Sequence, residues 1–152
     1  MTLSGVLCDS PLGPLGADAH EGHVTRLRWG PGDLAEGPLA DRLRDELHAY
    51  FTGNLHTFTV PLAITGSAFQ RAFLTTLTEI PFGHTRTYGA LAAQLGVSAQ
   101  AIGQACGANP LPILIPCHRV LGASTLGGFS GPRGVEDKVA LLRHEGAAGL
   151  LI

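Results

Sequence analysis

The chemistry this chain is best equipped for lies in Pro116-Cys117-His118-Arg119-Val120, at the end of the run NPLPILIPCHRV over residues 109–120. A cysteine attacks carbon only as its thiolate, and a neighbouring histidine or cation is what lowers the thiol pKa or removes the proton. Pro110, Pro112 and Pro116 exclude a helix interior. The run therefore reads as an extended, buried connection anchored by Ile113, Leu114 and Ile115. Neighbours on an extended chain point to opposite sides, so contact between Cys117 and His118 requires a local turn or a bridging water. The plainer reading of a cysteine after an apolar run is a buried, inert thiol. Three prolines around one Cys-His pair favour rigid placement of a reactive group.

A partner for the histidine exists further on. His144-Glu145 ends a helix expected from about Val135 to Arg143, with Val139 and Leu142 inward. A carboxylate from Glu145 on His118 completes a nucleophile, base and orienter chain. Taken alone, His144-Glu145 is a polar helix end.

Several elements must position these groups. Ser67 is the expected N-cap of SAFQRAFLTTLTEI, where Phe69, Phe73, Leu77 and Ile80 share a face. PFGH interrupts it. TYGALAAQLG reads as a short helix with Leu91, Ala92 and Leu95 inward and Gly96 as its C-terminal cap. Ser98 caps a second short helix, AQAIGQACG, with Ile102 and Ala105 inward. Two short helices joined by Gly-Val-Ser have the look of a helix-turn-helix, a pattern that generic helical hairpins share. The outward face of the second helix offers Gln100, Gly103, Gln104 and Gly107 and no cation. Such a face suits either plain solvent or close approach to a nucleic-acid groove.

The first half differs. DSPLGPLGADA and HVTRLRWG read as a hairpin with its turns. Pro38 opens a helix with the stripe Leu39, Leu43, Leu47 and Tyr50, closed by Gly53. LHTFTVPL alternates like a further strand, and Pro61 to Gly66 reads as a linker. The expected division is therefore 1–63 and 64–152. Trp29, Phe69 and Phe73 are most simply core residues.

Composition sets the bounds. Hydrophobic residues make up 45% and charged residues 14% of 152, which fits a compact globular chain rather than a disordered one. No apolar run approaches the ~20 residues needed to cross a bilayer, and MTLSGVLCDSPLG lacks a basic segment followed by an apolar one. Three cysteines, Cys8, Cys106 and Cys117, are an odd count, favouring reduced thiols in a cytoplasm over a disulfide framework. The net charge of −2 is unevenly spread. Residues 1–63 hold four Arg against eight acids, a net −4, whereas residues 64–152 hold six Lys and Arg against four acids, a net +2. A phosphate backbone, if met, is met by the second half.

Ile80-Pro81-Phe82-Gly83, Thr87-Tyr88-Gly89, Asn109-Pro110, Pro116-Cys117-His118-Arg119-Val120 and His144-Glu145-Gly146 together resemble the O6-alkylguanine-DNA alkyltransferase family. The match runs roughly from Ser67 to Gly146. The first half is similar only loosely, through DSPLG and overall length. The resemblance implies an α+β protein, with an N-terminal ribonuclease-H-like α/β domain (1–63) followed by a mostly helical winged helix-turn-helix domain (64–152). It implies irreversible transfer of an alkyl group from O6-alkylguanine to Cys117, after the base is flipped from the minor groove. O4-alkylthymine is a second substrate that it leaves open. His118 is then the base acting through a water, Glu145 its orienter, and Tyr88 the group that contacts the flipped nucleotide or protonates the leaving guanine. Main-chain groups of Cys117, Val120 and Ser130 read the base edge, and Asn109 ties the recognition helix to the active segment. Thr87, Ala99, Gln100, Gly103, Gln104 and Gly107 face double-stranded DNA. No cofactor, membrane or obligate protein partner is implied, and the protein acts as a cytoplasmic monomer.

One departure stands out. The family usually carries an Arg near the start of the recognition helix, where this chain has Gln100; a second, less general basic position falls on Gly107. Gln lacks the charge and the stacking plane of guanidinium, so weaker DNA binding and slower repair are expected. Other readings are a damage-recognition protein that does not repair, a cysteine hydrolase using Cys117, His118 and Glu145, and a winged-helix regulator. The first lacks its signature, since the nucleophile is present. The second lacks a glycine-rich motif to form an oxyanion hole. Some relatives carry a structural metal in the first domain, but Cys8, His20 and His23 match no standard zinc spacing, so no metal is expected.

Overall fold

The computed structural model describes residues 5–147, and its chain divides into two compact units that meet between Ala63 and Ile64. The first four residues of the segment read above for a leader lie outside the described residues. The fold is mixed α/β.

In the first unit, strands β1 (Cys8–Ser10), β2 (Gly13–His20) and β3 (His23–Arg28) form an antiparallel meander in that order. Pairing runs Cys8 to Leu15 and Gly16 to Arg28, with a register shift between Asp18 and Ala19. Gly16 is required by close approach: a Cβ there would overlap the backbone of Gly30 to Gly32. Helix α1 (Pro38–Phe51) starts with proline in its first turn and packs against β1. Its buried stripe is Ala40, Leu43, Leu47 and Tyr50. Leu39, expected inward, is half-buried, and Ala40 takes its place on the i, i+3, i+7 face.

The expected strand over LHTFTVPL does not form. Its backbone donors are already spent: Thr59 N and Val60 N donate to Glu46 Oε1 at 2.8 and 3.0 Å, and Pro61 has no N–H. One parallel bridge remains, Leu62 to Val24, with Val24 N donating to Pro61 O at 2.9 Å.

The second unit begins with α2 (Ala68–Thr78), whose N-cap Ser67 accepts from Gln70 N at 3.0 Å. Phe73, Leu74 and Leu77 are buried on it, and Phe69 is half-buried with its ring stacked on Phe73 at 6.3 Å. Pro81 ends any continuation. Strand β4 (Arg86–Thr87) leads straight into α3 (Tyr88–Leu95), capped by the Thr87 hydroxyl, which accepts from Ala90 N at 3.0 Å. Gly96 closes α3 in the left-handed region at φ 69°. Ser98 then caps α4 (Ala99–Gly107) through Ala101 N at 3.1 Å. Each N-cap is worth about 1 kcal/mol. Leu91, Ala92, Ile102 and Ala105 are buried as their spacing predicts, while Leu95 is half-buried.

Residues 111–120 are all buried, but the segment is not extended. Leu114 N donates to Pro112 O at 2.8 Å around Ile113, whose φ is 71°, and Ile115 N donates to Leu111 O at 2.8 Å. A β-branched residue at that φ costs on the order of 1–3 kcal/mol, offset by burial of its side chain. A 3₁₀ turn follows over Cys117–Arg119, then strand β5 (Val120–Leu121), parallel to β4 with Arg86 facing Val120 and Thr87 facing Leu121. Proline forbids helix, but the freed donors and acceptors close tight local turns instead of a ladder.

A glycine-rich loop, GASTLGGFSGPRG over 122–134, joins β5 to α5 (Val135–Glu145). Asp137, wholly buried, fastens its far end by accepting from Arg133 N and Arg133 Nε, both at 3.0 Å. Helix α5 runs two residues past the expected Arg143. It turns inward Asp137, Lys138, Leu141, Leu142 and Glu145, leaving Val139 half-buried.

Candidate active site

Backbone order around Cys117 comes first. Its N–H donates to Ile115 O at 2.8 Å and Arg119 N donates to Pro116 O at 3.0 Å, so the 3₁₀ turn fixes both side chains of the Cys-His pair. Asn109, immediately after α4, holds the turn from below. Its Nδ2 donates to Ile115 O at 3.0 Å, and its Oδ1 accepts from Leu111 N at 2.9 Å. One buried amide thus joins the end of α4 to the segment carrying the sulfur.

Cys117 is only 5% exposed. Burial pushes its thiol pKa up, opposed by a hydrogen bond from Asn109 and by the charge of Lys138. His118 is wholly buried, and its Nε2–H donates to Glu145 Oε2 at 2.8 Å. Glu145 also accepts from Arg119, Nε to Oε1 at 2.8 Å and Nη2 to Oε2 at 2.9 Å, while Arg119 Nη1 donates to Ile80 O at 2.6 Å. Burial raises the Glu145 carboxyl, but the hydrogen bonds and charges of His118 and Arg119 outweigh it and hold the group far below the usual carboxylate range. Burial dominates at His118 and lowers its pKa despite the carboxylate, leaving a neutral ring at neutral pH.

These facts fix the tautomer. A carboxylate can only accept, so Nε2 carries the proton and Nδ1 keeps its lone pair. Nδ1 is buried and has no hydrogen-bond partner among the described protein atoms. A buried polar nitrogen left so costs about 1–3 kcal/mol, and here it is the atom equipped to take a proton.

Beside the sulfur lies a cavity of about 350 Å³. Tyr88 and Cys117 line it together with Gly103, Cys106 and Gly107 of α4. Gly128, Phe129 and Ser130 of the β5–α5 loop close the other side. The Tyr88 ring presses on Gly127, where φ is 73° and any Cβ would overlap the tyrosine hydroxyl. Burial raises the Tyr88 pKa, so the phenol stays protonated at neutral pH.

Of the residues singled out from the sequence, the structure gathers Cys117, Tyr88, Gly103, Gly107 and Ser130 around the cavity. His118, Glu145, Asn109 and Val120 are buried. Thr87, Ala99, Gln100 and Gln104 are exposed and do not line the cavity, and Thr87 already serves as the cap of α3.

Lys138 escaped the sequence reading. It is wholly buried, and its Nζ donates to Val120 O at 2.6 Å, Gly128 O at 3.1 Å and Tyr88 Oη at 3.4 Å. The Val120 carbonyl, expected to read a base edge, is thereby already engaged by a cation. A lysine on a helix normally snorkels to solvent; the one local sign of burial was its place in register with Leu141, Leu142 and Glu145. Among the described residues no three His, Cys, Asp or Glu side chains group so as to hold a metal. No described helix is long and apolar enough to cross a membrane.

Comparison with known proteins places the chain as a whole among its relatives. The family described as 6-O-methylguanine DNA methyltransferase, DNA binding domain, matches residues 68–147. The methylated-DNA–protein-cysteine methyltransferase of Mycobacterium tuberculosis (strain ATCC 25618 / H37Rv) is 41% identical, over 90% of this chain and 88% of its own. That of Shigella flexneri is 48% identical over 72% of this chain and 63% of its own. The crystal structure of Mycobacterium tuberculosis OGT in complex with DNA superposes with a TM-score of 0.80 at 40% identity, covering 91% of this chain and 90% of that one. The chain belongs to the 6-O-methylguanine DNA methyltransferase family.

Proposed function

We propose that this protein repairs alkylated DNA by moving the alkyl group from guanine O6 to Cys117 Sγ, once per molecule. The observation that carries the reading is the free Nδ1 of a His118 whose other nitrogen is held by Glu145, one residue from a buried thiol in a cavity wall.

The step balances without a cofactor. The Cys117 proton passes through a water to His118 Nδ1, and Sγ attacks the alkyl carbon. The carbon–O6 bond breaks, and the guanine left behind takes a proton from the Tyr88 hydroxyl. Lys138, 3.4 Å from Tyr88 Oη, supports the phenolate that results. The resting thiol stays protonated because burial disfavours its anion, so charge develops at sulfur only as the carbon is attacked. A thioether has no leaving group to reverse the transfer.

A guanine reaches Cys117 only when it is out of the stack. In this reading residues 1–63 are a ribonuclease-H-like domain and residues 64–152 a winged helix-turn-helix, with α3 and α4 as its helix pair. Gln100, Gly103, Gln104 and Gly107, with Thr87 and Ala99, meet the minor groove. The Cys117 backbone and Ser130 read the base edge together with the second lone pair of the Val120 carbonyl, whose first Lys138 engages, and Asn109 couples the groove helix to the sulfur. A reducing cytoplasm keeps the thiol available, and the protein acts as a monomer on double-stranded DNA.

Intact-protein mass after incubation with a duplex containing O6-methylguanine tests this, with Cys117→Ala alongside. A gain of one methyl group, absent from the variant, is expected. No gain with selective binding of the lesion duplex would make this a damage-recognition protein instead.

A further inference from the structure

The methyl-transfer reading uses one sulfur, yet two line the cavity. Gly103, Cys106 and Gly107 stand at i, i+3 and i+4 on α4, one face of one turn. A Cβ built at Gly103 or Gly107 would meet nothing within 4 Å, so the Cys106 thiol is the only reactive group that α4 brings to this wall. Cys106 and Cys117 also share electrostatic surroundings, since both act on Tyr88 and on Lys138.

We propose that Cys106 is a second acceptor, which captures the far carbon of a bifunctional alkyl group after Cys117 has taken the near one. The substrate class is guanine bearing a 2-haloethyl group on O6. The inference rests on Cys117 being the first acceptor. In the first step the carbon–O6 bond breaks, a carbon–sulfur bond forms at Cys117, the thiol proton goes to His118 and guanine takes its proton from Tyr88. The product is a 2-chloroethyl thioether. The Cys117 sulfur then displaces chloride to give a three-membered sulfonium ring. Cys106 sulfur opens that ring, forming a second carbon–sulfur bond, and its proton leaves to solvent with the chloride. No oxidant or reductant is needed, and the product is a two-carbon bridge between the two sulfurs.

Place rather than acidity favours Cys106, which shares the cavity wall with Cys117. Burial pushes the Cys106 thiol up to about 12, against the pull of Lys138, so it attacks as a thiol and gives up its proton as the carbon–sulfur bond forms. Capture within one cavity also outcompetes water through proximity.

The full chain, wild type beside Cys106→Ala and Cys106→Ser, is incubated with a duplex carrying O6-(2-chloroethyl)guanine, then denatured, treated with iodoacetamide and digested with trypsin. No Lys or Arg lies between Thr87 and Arg119, so both cysteines fall on one tryptic peptide. The expected wild-type result is iodoacetamide label on Cys8 alone and a peptide that yields no backbone fragments between Cys106 and Cys117. Both variants should carry an open 2-hydroxyethyl group on Cys117. An open adduct on wild-type Cys117 with Cys106 fully labelled overturns the proposal alone. Absence of any adduct from wild type overturns it together with the alkyl-transfer reading.

Discussion

His118 Nε2 and Glu145 Oε2 lie 2.8 Å apart with both side chains wholly shielded from solvent, so neither partner can change protonation without cost to the fold. His118 titrates below its ordinary 6.5 in the folded chain, because burial disfavours the imidazolium. The unfolded ring therefore binds its proton more readily, and the stability this contributes is present above about pH 6.5 and lost as pH falls. Glu145 is depressed as well, so its contribution holds above the ordinary carboxyl range and is also lost on acidification. Both signs agree: the melting temperature should fall as pH drops from about 7.5 to about 5. A melting temperature flat across that range, measured by calorimetry, would contradict this account.

Glu145→Gln should be severe for a different reason. It leaves the Arg119 guanidinium buried with no counter-charge, a loss of about 3–5 kcal/mol. Denaturant titration reads the change, and Arg119→Met combined with Glu145→Gln should recover part of it.

His118→Asn tests the proposed base while keeping a polar side chain. Alkyl transfer in single-turnover assays should slow by about 10²–10⁴-fold. Affinity for the lesion duplex should be unchanged, because no atom of His118 is exposed. An equal loss in binding would argue that the ring only shapes the fold.

Lys138→Met tests the buried cation. The pH profile of Cys117 alkylation by iodoacetamide should move to higher pH, since Lys138 lowers that thiol's pKa. Stability should fall by about 1–3 kcal/mol for each carbonyl left unpaired at Val120 and Gly128. An unmoved profile would leave Lys138 a purely structural group.

Gln100→Arg adds a cation at the exposed first turn of α4. Duplex affinity should rise, and the slope of log K against log salt should steepen by about 0.9 for one further phosphate contact. Fluorescence anisotropy over a salt series checks both; an unchanged slope would place Gln100 away from the backbone.

Local chemistry was legible in the sequence. Ser67, Ser98 and Gly96 cap the helices they were expected to cap, because such caps act over three or four residues. The pairing of His118 with Glu145 was readable from residue type, and the two lie 2.8 Å apart. What could not be read was long-range. Glu46 takes the donors of Thr59 and Val60 from thirteen and fourteen residues away and prevents a strand whose alternation was sound. Lys138 is buried because carbonyls at Val120 and Gly128 reach it, a fact no helical periodicity contains. The prolines before Cys117 said that helix was excluded, not which turns would replace it.

The loop over residues 122–134 is clamped at one end by β5 and at the other by Asp137, with Lys138 gripping it once at Gly128. It supplies Gly128, Phe129 and Ser130 to the cavity, while Cys117, His118 and Glu145 lie outside the loop. One wall of the cavity and the sulfur with its buried neighbours are therefore written in separate stretches of the gene. Exchange of residues in this loop, with Gly127, Gly128 and both clamps kept, would reshape one wall of the cavity while Cys117, His118 and Glu145 are inherited whole.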